Sequence, residues 1–384
     1  MSRLDGLIAQ YCPAGVLHLP LRVTAGYSDS RIDAKVLGSS TFVGVDNLIA
    51  NKGGKLDSTY EPNTARLTEY LPGDVLIGNI RPYLKKVWLA TNRGGCSGDV
   101  LAIRIGVSFQ EQIDSKFMFY LLSSDGFFAY NMQNAKGAKM PRGSKEAILD
   151  YRVPVPPLEV QREIVRILDN FTELEAELEA ELEARQTQLH YFRALLLEFD
   201  STVISHRLGR VCEIRTGQPV SKESIERNPG PYPVVNSGRD PLGYIGRFNT
   251  EDDPIGITSR GAGVGSITWT PGQYFRGNLN YSATIRDVEE LDIEFLHQVL
   301  LLLQPEIRQL STFQGIPALN KVNLEKLMIP VPNIAKQRQV AAKLKNFDLL
   351  VNDVSIGLPA ELDARRKQYE YYRDRLLTFE EAPA

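Results

Sequence analysis

The chain has 384 residues, with 44 Lys+Arg against 47 Asp+Glu and a formal net charge of −3; this length exceeds one typical core and points to two or three domains. Its longest uncharged apolar stretches, such as Phe117 to Leu122 and Val299 to Leu303, fall far short of the roughly 20 residues of a membrane-spanning helix. The start, Met1-Ser2-Arg3-Leu4-Asp5, has no apolar signal region, and Cys12, Cys96 and Cys212 lack metal or disulfide spacing, so a cytoplasmic protein with reduced cysteines and no membrane partner is expected.

Residues 1–157 hold 18 basic against 14 acidic side chains, whereas 158–200 hold 4 against 11. The acidity is therefore local, and a polyanion can still meet the first region. There, Thr41 to Val45, Val75 to Ile80, Val87 to Ala90 and Val100 to Ile105 read as strands, and Lys116 to Ser123 as a helix. Val153-Pro154-Val155-Pro156-Pro157 is held extended by its prolines, so a helix must begin just beyond. From Ile164 through Leu168, Phe171, Leu174, Leu178 and Leu182 to Leu189, Phe192 and Leu196, apolar residues recur every three or four positions, a stripe suited to another helix. Its middle, Glu173 to Ala184, is three Glu-Leu-Glu-Ala units.

Residues 201–333 repeat the first plan loosely, with strands near Ile255 to Ser259, Ser266 to Trp269 and Ser282 to Ile285 and a helix around Ile293 to Leu303. Arg81 and Trp88 fall about where Arg260 and Trp269 fall, and Ile103-Arg104 about where Ile285-Arg286 does. Ile329-Pro330-Val331-Pro332 then leads into a second stripe, including Val340, Leu344, Phe347, Val351 and Val354, which Gly357-Leu358-Pro359 should break or kink.

The chain thus repeats itself once. Met140 to Phe171 aligns with Ile316 to Phe347 at an offset of 176 without a gap, and Arg193, Leu196, Leu197 and Phe199 align with Arg373, Leu376, Leu377 and Phe379 at an offset of 180. Such a duplication imitates a symmetric dimer and calls for a ligand or partner with two related halves. Two striped helical segments in one chain can bury their stripes against each other as an antiparallel coiled coil.

The chain resembles the specificity (S) subunits of type I restriction-modification systems. The resemblance is carried by the two Pro-x-Pro to Gln-Arg passages, by Leu71-Pro72-Gly73-Asp74-Val75-Leu76-Ile77 with Ile80-Arg81-Pro82, and by the run from Gly357-Leu358-Pro359 to Arg365-Arg366-Lys367-Gln368-Tyr369-Glu370-Tyr371-Tyr372-Arg373. The first helical region departs from that run, with Arg185-Gln186-Thr187-Gln188-Leu189-His190-Tyr191-Phe192-Arg193. The resemblance implies an α+β chain of two pseudo-symmetric α/β target-recognition domains, 1–157 and 201–333, separated by an antiparallel coiled coil of the helical regions 158–200 and 334–384. It implies a non-catalytic reader of a bipartite double-stranded DNA site that docks two methylation subunits, with restriction subunits joining the full complex. S-adenosylmethionine, ATP and Mg are then expected on those partners and no cofactor on this chain. Gln161, Arg162, Gln337, Arg338, Arg365, Arg366, Tyr369, Tyr372 and Arg373 become candidate partner contacts.

For DNA, cations and amides on glycine-bearing loops suit phosphates and base edges. These are Arg81, Lys85, Lys86, Lys136, Lys139, Arg142 and Lys145 in the first domain, and Arg239, Arg260, Arg276, Asn278, Gln314, Asn320 and Lys321 in the second. Gly261-Ala262-Gly263-Val264-Gly265 imitates a phosphate loop, but it lies between two short strands without a following helix and reads as a hairpin turn. His18, His190, His206 and His297 are too dispersed for a triad or metal site. Two other classes fit the residues: a coiled-coil adaptor that does not touch DNA, and a single-chain DNA methyltransferase or nuclease with an unrecognised active site. The chain lacks an Asn-Pro-Pro-Tyr-type methyltransferase motif and a Walker loop.

Overall fold

The computed structural model describes residues 3–238, 240–313, 315–352 and 357–383. They form two compact units, Met1–Glu177 with Leu362–Ala384, and Leu178–Glu361. The sequence division at 157, 200 and 333 cuts the chain differently, because each unit combines an α/β portion with parts of the helical regions. The helix Leu158–Leu196 contributes its first half to one unit and its second half to the other.

In the first unit, one sheet has the order Ala25–Tyr27, Val100–Ile105, Val75–Gly78, Val87–Leu89, and another the order Arg31–Asp33, Arg66–Tyr70, Gly94–Cys96, Phe42–Val43. Val75–Gly78 is buried along its whole length, which explains its continuous apolar run rather than an alternating one. The helix Ser115–Leu122 packs on it and on Val87–Leu89. The Asp114 carboxylate caps that helix by accepting the backbone N–H groups of Lys116 and Phe117 at 2.9 and 3.2 Å.

The second unit repeats these parts, with Asn280–Ser282 shorter than its counterpart Val100–Ile105. Ile255–Thr258 pairs with Ile267–Trp269 and with Asn280–Ser282, and Asp292 caps the helix Ile293–Leu302. Trp269 lies against the half-buried His297 ring with centroids 4.8 Å apart, and burial pushes that imidazole down to about 4. The paired registers correct the sequence alignment. Val75↔Leu89 corresponds to Ile255↔Trp269, so Trp269 matches Leu89 rather than Trp88, and Arg81 matches Gly261 rather than Arg260. Likewise Ala25↔Ile105 corresponds to Cys212↔Ile285, which moves Ile103-Arg104 onto Ala283-Thr284. Approximate alignment hid these slips, each of which changes the residue being compared.

A glutamine clamp joins each α/β portion to its first long helix. The side-chain Nε2 of Gln161 donates to the carbonyls of Pro156 and Gln112 at 2.6 and 2.8 Å, while its Oε1 accepts the Asp114 N–H at 2.9 Å. Gln337 does the same with Pro332, Glu290 and Asp292 at 2.7, 2.9 and 2.8 Å. The Pro-x-Pro to Gln spacing is therefore a structural device, since a buried carbonyl without a donor is costly.

The helices also pair within each unit. In the first, Phe171 stacks on Tyr372 with centroids 5.8 Å apart and meets Tyr369 at 6.1 Å, and Glu175 accepts from Arg366 at 2.6 Å, so the two strands of this pair run antiparallel. In the second, Phe192 meets Phe347 edge-on at 5.9 Å. The expected break is present: one helix ends at Asn352 and another starts at Leu358, while Val354 of the expected stripe lies outside the described residues.

The first unit is closed by both chain ends. Val16 N–H donates to Glu380 O at 2.8 Å, and Ala382 N–H donates to Val16 O at 3.0 Å. In the second unit the matching bond, Val203 N–H to Asp200 O at 3.1 Å, is made within continuous chain. Gly15 permits the closure: its φ is +93°, and a Cβ there would stand 2.8 Å from Glu380 O.

Candidate nucleic-acid interface

Each unit brings together two loops by the same backbone bonds. In the first unit, the hairpin between Val75–Gly78 and Val87–Leu89 meets the loop that follows the helix Asp125–Gln133. Gly143 N–H donates to Asn79 O at 3.1 Å and Arg81 N–H to Pro141 O at 2.7 Å, while Lys136 and Arg142 exchange two bonds of 2.9 Å. A Cβ on Gly143 would come within 2.2 Å of Asn131 Oδ1, so a larger residue there would have to displace the Asn131 side chain. The result gathers exposed Arg81, Lys136, Lys139 and Arg142 on joined loops, beside exposed Tyr83 and Met140.

The second unit rebuilds the frame. Leu319 N–H donates to Ser259 O at 2.8 Å and Gly261 N–H to Pro317 O at 2.9 Å, and the bridges Ile80↔Arg142 and Lys136↔Arg142 become Arg260↔Ala318 and Thr312↔Ala318. The backbone is kept and the side chains are changed. Exposed Phe313 and Ile316 stand on the loop that carries Lys136 to Arg142 in the first unit. The glycine-rich turn is the hairpin expected from the sequence, between Ile255–Thr258 and Ile267–Trp269.

Four non-glycine residues among those described have left-handed backbones: Asn51 (φ 54°), Lys52 (φ 66°), Arg81 (φ 53°) and Lys85 (φ 49°). They lie on two loops stitched together by Asn51 N–H to Leu84 O at 2.8 Å and Lys52 N–H to Lys85 O at 2.9 Å. In the second unit, the positions of Arg81 and Lys85 are Gly261 (φ 99°) and Gly265 (φ 80°), the residue type this conformation favours. A side chain there costs roughly 1–2 kcal/mol.

Beneath these loops, Asp125 receives Lys52 at 2.9 Å, Lys85 at 2.6 Å and Arg373 at 2.8 Å. Burial alone would raise the Asp125 carboxyl, but the hydrogen bonds from Lys85 and Lys52 and the charge of Arg373 hold it well below the usual carboxylate range. Asp125 and Lys52 escaped the sequence reading, since nothing local marks residues 73 apart as partners. The Asn51-Lys52-Gly53-Gly54 turn was the available signal.

Several candidates are corrected by their surroundings. Arg276 is only 4 % exposed. Its guanidinium donates to the carbonyls of Ile255, Tyr281 and Asp253 and to Asn280 Oδ1, so it ties strands together inside the fold instead of facing a groove. Lys85 is engaged by Asp125, and Lys86 Nζ donates to Val45 O at 2.7 Å. Asn320 caps the helix Lys321–Glu325 through the Val322 N–H, and Lys321 lies 3.6 Å from Glu325. Arg142 pairs with Asp99 at 2.9 Å but stays exposed, and Lys145 opens the helix Lys145–Asp150 at the base of the loop. Arg260, at its bridge to Ala318, and Asn278, on a turn, are both exposed, and Arg239 and Gln314 lie outside the described residues.

The model of one protein family, described as the type I restriction modification DNA specificity domain, matches residues 100–184 and 201–364. The chain belongs to this family. A putative type I restriction enzyme specificity subunit of Haemophilus influenzae is 29 % identical over 293 residues, which cover 71 % of this chain and 74 % of the relative. The EcoprrI specificity subunit of Escherichia coli is 28 % identical over 347 residues, 85 % of this chain and 80 % of the relative. The fold matches a solved chain from work on complex assembly and conformational transition of the type I system (TM-score 0.63, 22 % identity, 95 % and 98 % covered). It also matches the S subunit from M. genitalium (TM-score 0.56, 16 % identity, 94 % and 96 % covered). These matches favour a DNA-sequence recognition subunit over the adaptor and single-chain enzyme readings.

For this family member, the expected partner contacts divide. Gln161 and Gln337 are fully buried in their clamps, and Arg373 is 1 % exposed with its guanidinium on Asp125 and Asp374; all three are corrected to internal roles. Arg193, which matches Arg373, is also buried and donates to Gln298 and Asp348. Tyr369 is half-buried between Phe171 and Arg373. Arg162, Arg338, Arg365, Arg366 and Tyr372 remain on the surface. Among the described residues, no helix is long and apolar enough to cross a membrane, and no cluster of His, Cys, Asp and Glu suits a metal ion.

Proposed function

We propose that this chain is the non-catalytic DNA reader of a type I restriction-modification complex, with each unit reading one half of a bipartite, asymmetric target. The helices fix the gap between halves and dock two methylation subunits through surface positions such as Arg162, Arg338, Arg365, Arg366 and Tyr372. S-adenosylmethionine, ATP and Mg belong to the methylation and restriction partners. The observation that carries the reading is the repeated loop frame with exchanged side chains. One backbone frame carries different side chains in the two units, Arg81, Lys136, Lys139 and Arg142 against Gly261, Thr312, Gly315 and Ala318, as two unlike half-sites require.

The test is to reconstitute the complex with its methylation subunit, change Lys136, Lys139 and Arg142 together to Ala, and titrate a target duplex at several salt concentrations. Losing these cations should flatten the salt dependence by about two to three units. An unchanged affinity and slope would remove the loop from the DNA interface. Methyl transfer by the purified chain alone would overturn the non-catalytic assignment.

A further inference from the structure

We propose that Arg81 is a specificity-determining residue that reads a base edge, matching guanine, in the half-site of the first unit; this rests on the DNA-reading function above. The argument starts from the four left-handed residues. Asn tolerates that conformation, which accounts for Asn51. Lys52 and Lys85 each hold Asp125, so their side chains serve the fold. Arg81 differs from all three. It is exposed, and its guanidinium makes no hydrogen bond or ion pair with any described residue.

Its backbone is fixed from both sides: Arg81 N–H donates to Pro141 O at 2.7 Å, and Arg81 O accepts the Leu84 N–H at 2.9 Å. Pro82 follows directly, and a residue before proline prefers an extended backbone. The fold would be easier to make with glycine at this position, and the second unit has Gly261 there with φ 99°. The arginine therefore serves something outside the chain. A phosphate contact needs only a cation nearby and no strained anchor, whereas reading a base edge needs a side chain carried from one fixed place. A rigidly anchored guanidinium fork suits the paired acceptors O6 and N7 of guanine. The surrounding Lys136, Lys139 and Arg142 are placed to hold the backbone phosphates.

The experiment compares wild type, Arg81→Gly, Arg81→Lys and Lys85→Gly, each assembled with the methylation subunit. Methylated motifs, affinity for the wild-type motif and for unrelated duplex, and thermal unfolding are measured. Arg81→Gly should unfold no earlier than wild type, because glycine relieves the left-handed backbone. It should lose roughly five- to hundredfold affinity for the motif while changing little on unrelated DNA. It should also accept other bases at one position of one half-site and leave the other half unchanged. Arg81→Lys should recover charge but not base discrimination. Lys85→Gly should unfold earlier, since it strips a cation from Asp125. An equal loss on all duplexes with an unchanged motif would make Arg81 a phosphate contact and overturn the inference. So would an unchanged motif and affinity, or clearly earlier unfolding of Arg81→Gly. If the wild-type complex itself yields no bipartite motif, the DNA-reading function fails instead.

Discussion

Replacing Gln161 with Ala separates a structural clamp from a partner contact. The side chain is fully buried and satisfies three backbone groups: the Asp114 N–H and the carbonyls of Gln112 and Pro156. Alanine leaves all three without their partner, and at about 1 kcal/mol for each lost bond the first unit should lose about 3 kcal/mol. For a unit of this size that is a fall in Tm of roughly 6–12 °C. Scanning calorimetry and urea titration measure the loss, with Arg162→Ala as the neighbouring surface control, expected within about 0.5 kcal/mol of wild type. Affinity for the methylation subunit is measured under conditions where both variants stay folded. There, Gln161→Ala should bind like wild type, and the Arg162→Ala variant should show any weakening. Wild-type unfolding of Gln161→Ala, accompanied by weakened partner binding, would refute the clamp.

Lowering pH should weaken the second unit. His297 is held at about 4 by burial against an ordinary value of 6.5, so its neutral form supports folding fully above about pH 6.5 and loses that support progressively toward pH 4. With a half-buried ring, the loss between pH 7 and 5 should be roughly 1 kcal/mol, absent in His297→Gln and readable from urea titrations at both pH values. Deleting residues 362–384 should expose the first unit to limited proteolysis and leave a protected core from the second, since those residues belong to the first unit; equal protection of both would contradict this. Removing Glu177 to Ala180 shortens the helix by about 6 Å and turns the stripe by only about 40°. Sequenced methylated sites should then show a gap shortened by one to two base pairs at about 3.4 Å each, and an unchanged gap would end the ruler idea.

Much of the architecture was legible because its signals are local. Central strands such as Val75–Gly78 and the first four residues of Val100–Ile105 are continuous apolar runs, the prolines at 154 and 330 mark where helices cannot yet begin, and the stripes have helical spacing. The site was less legible, for a physical reason. Arg276 and Arg81 look alike in a sequence, since each is a cation near glycines, but the first is surrounded by carbonyls 21 and 23 residues away and the second faces outward. The resemblance made Gln161 and Arg373 candidate partner contacts, and only the tertiary fold supplies the internal groups that bury them. The left-handed backbone of Arg81 leaves no sequence signature beyond the glycine at the matching position, and a one-residue slip in alignment concealed that match.

The bond between Val16 and Glu380 sets an order on biosynthesis. A ribosome delivers the first α/β portion early, but the segment it needs for closure emerges only with Glu380 to Ala382. The second unit, complete by Glu361, has all its parts in hand sooner. At about 5–20 residues per second, the earlier portion waits on the order of 10–40 s for its closing segment. During that interval the apolar surface of Leu4, Ile167 and Phe171, which Leu376 and Phe379 later line, is open to chaperones or to another nascent chain. The first half to be translated is thus the last to be finished.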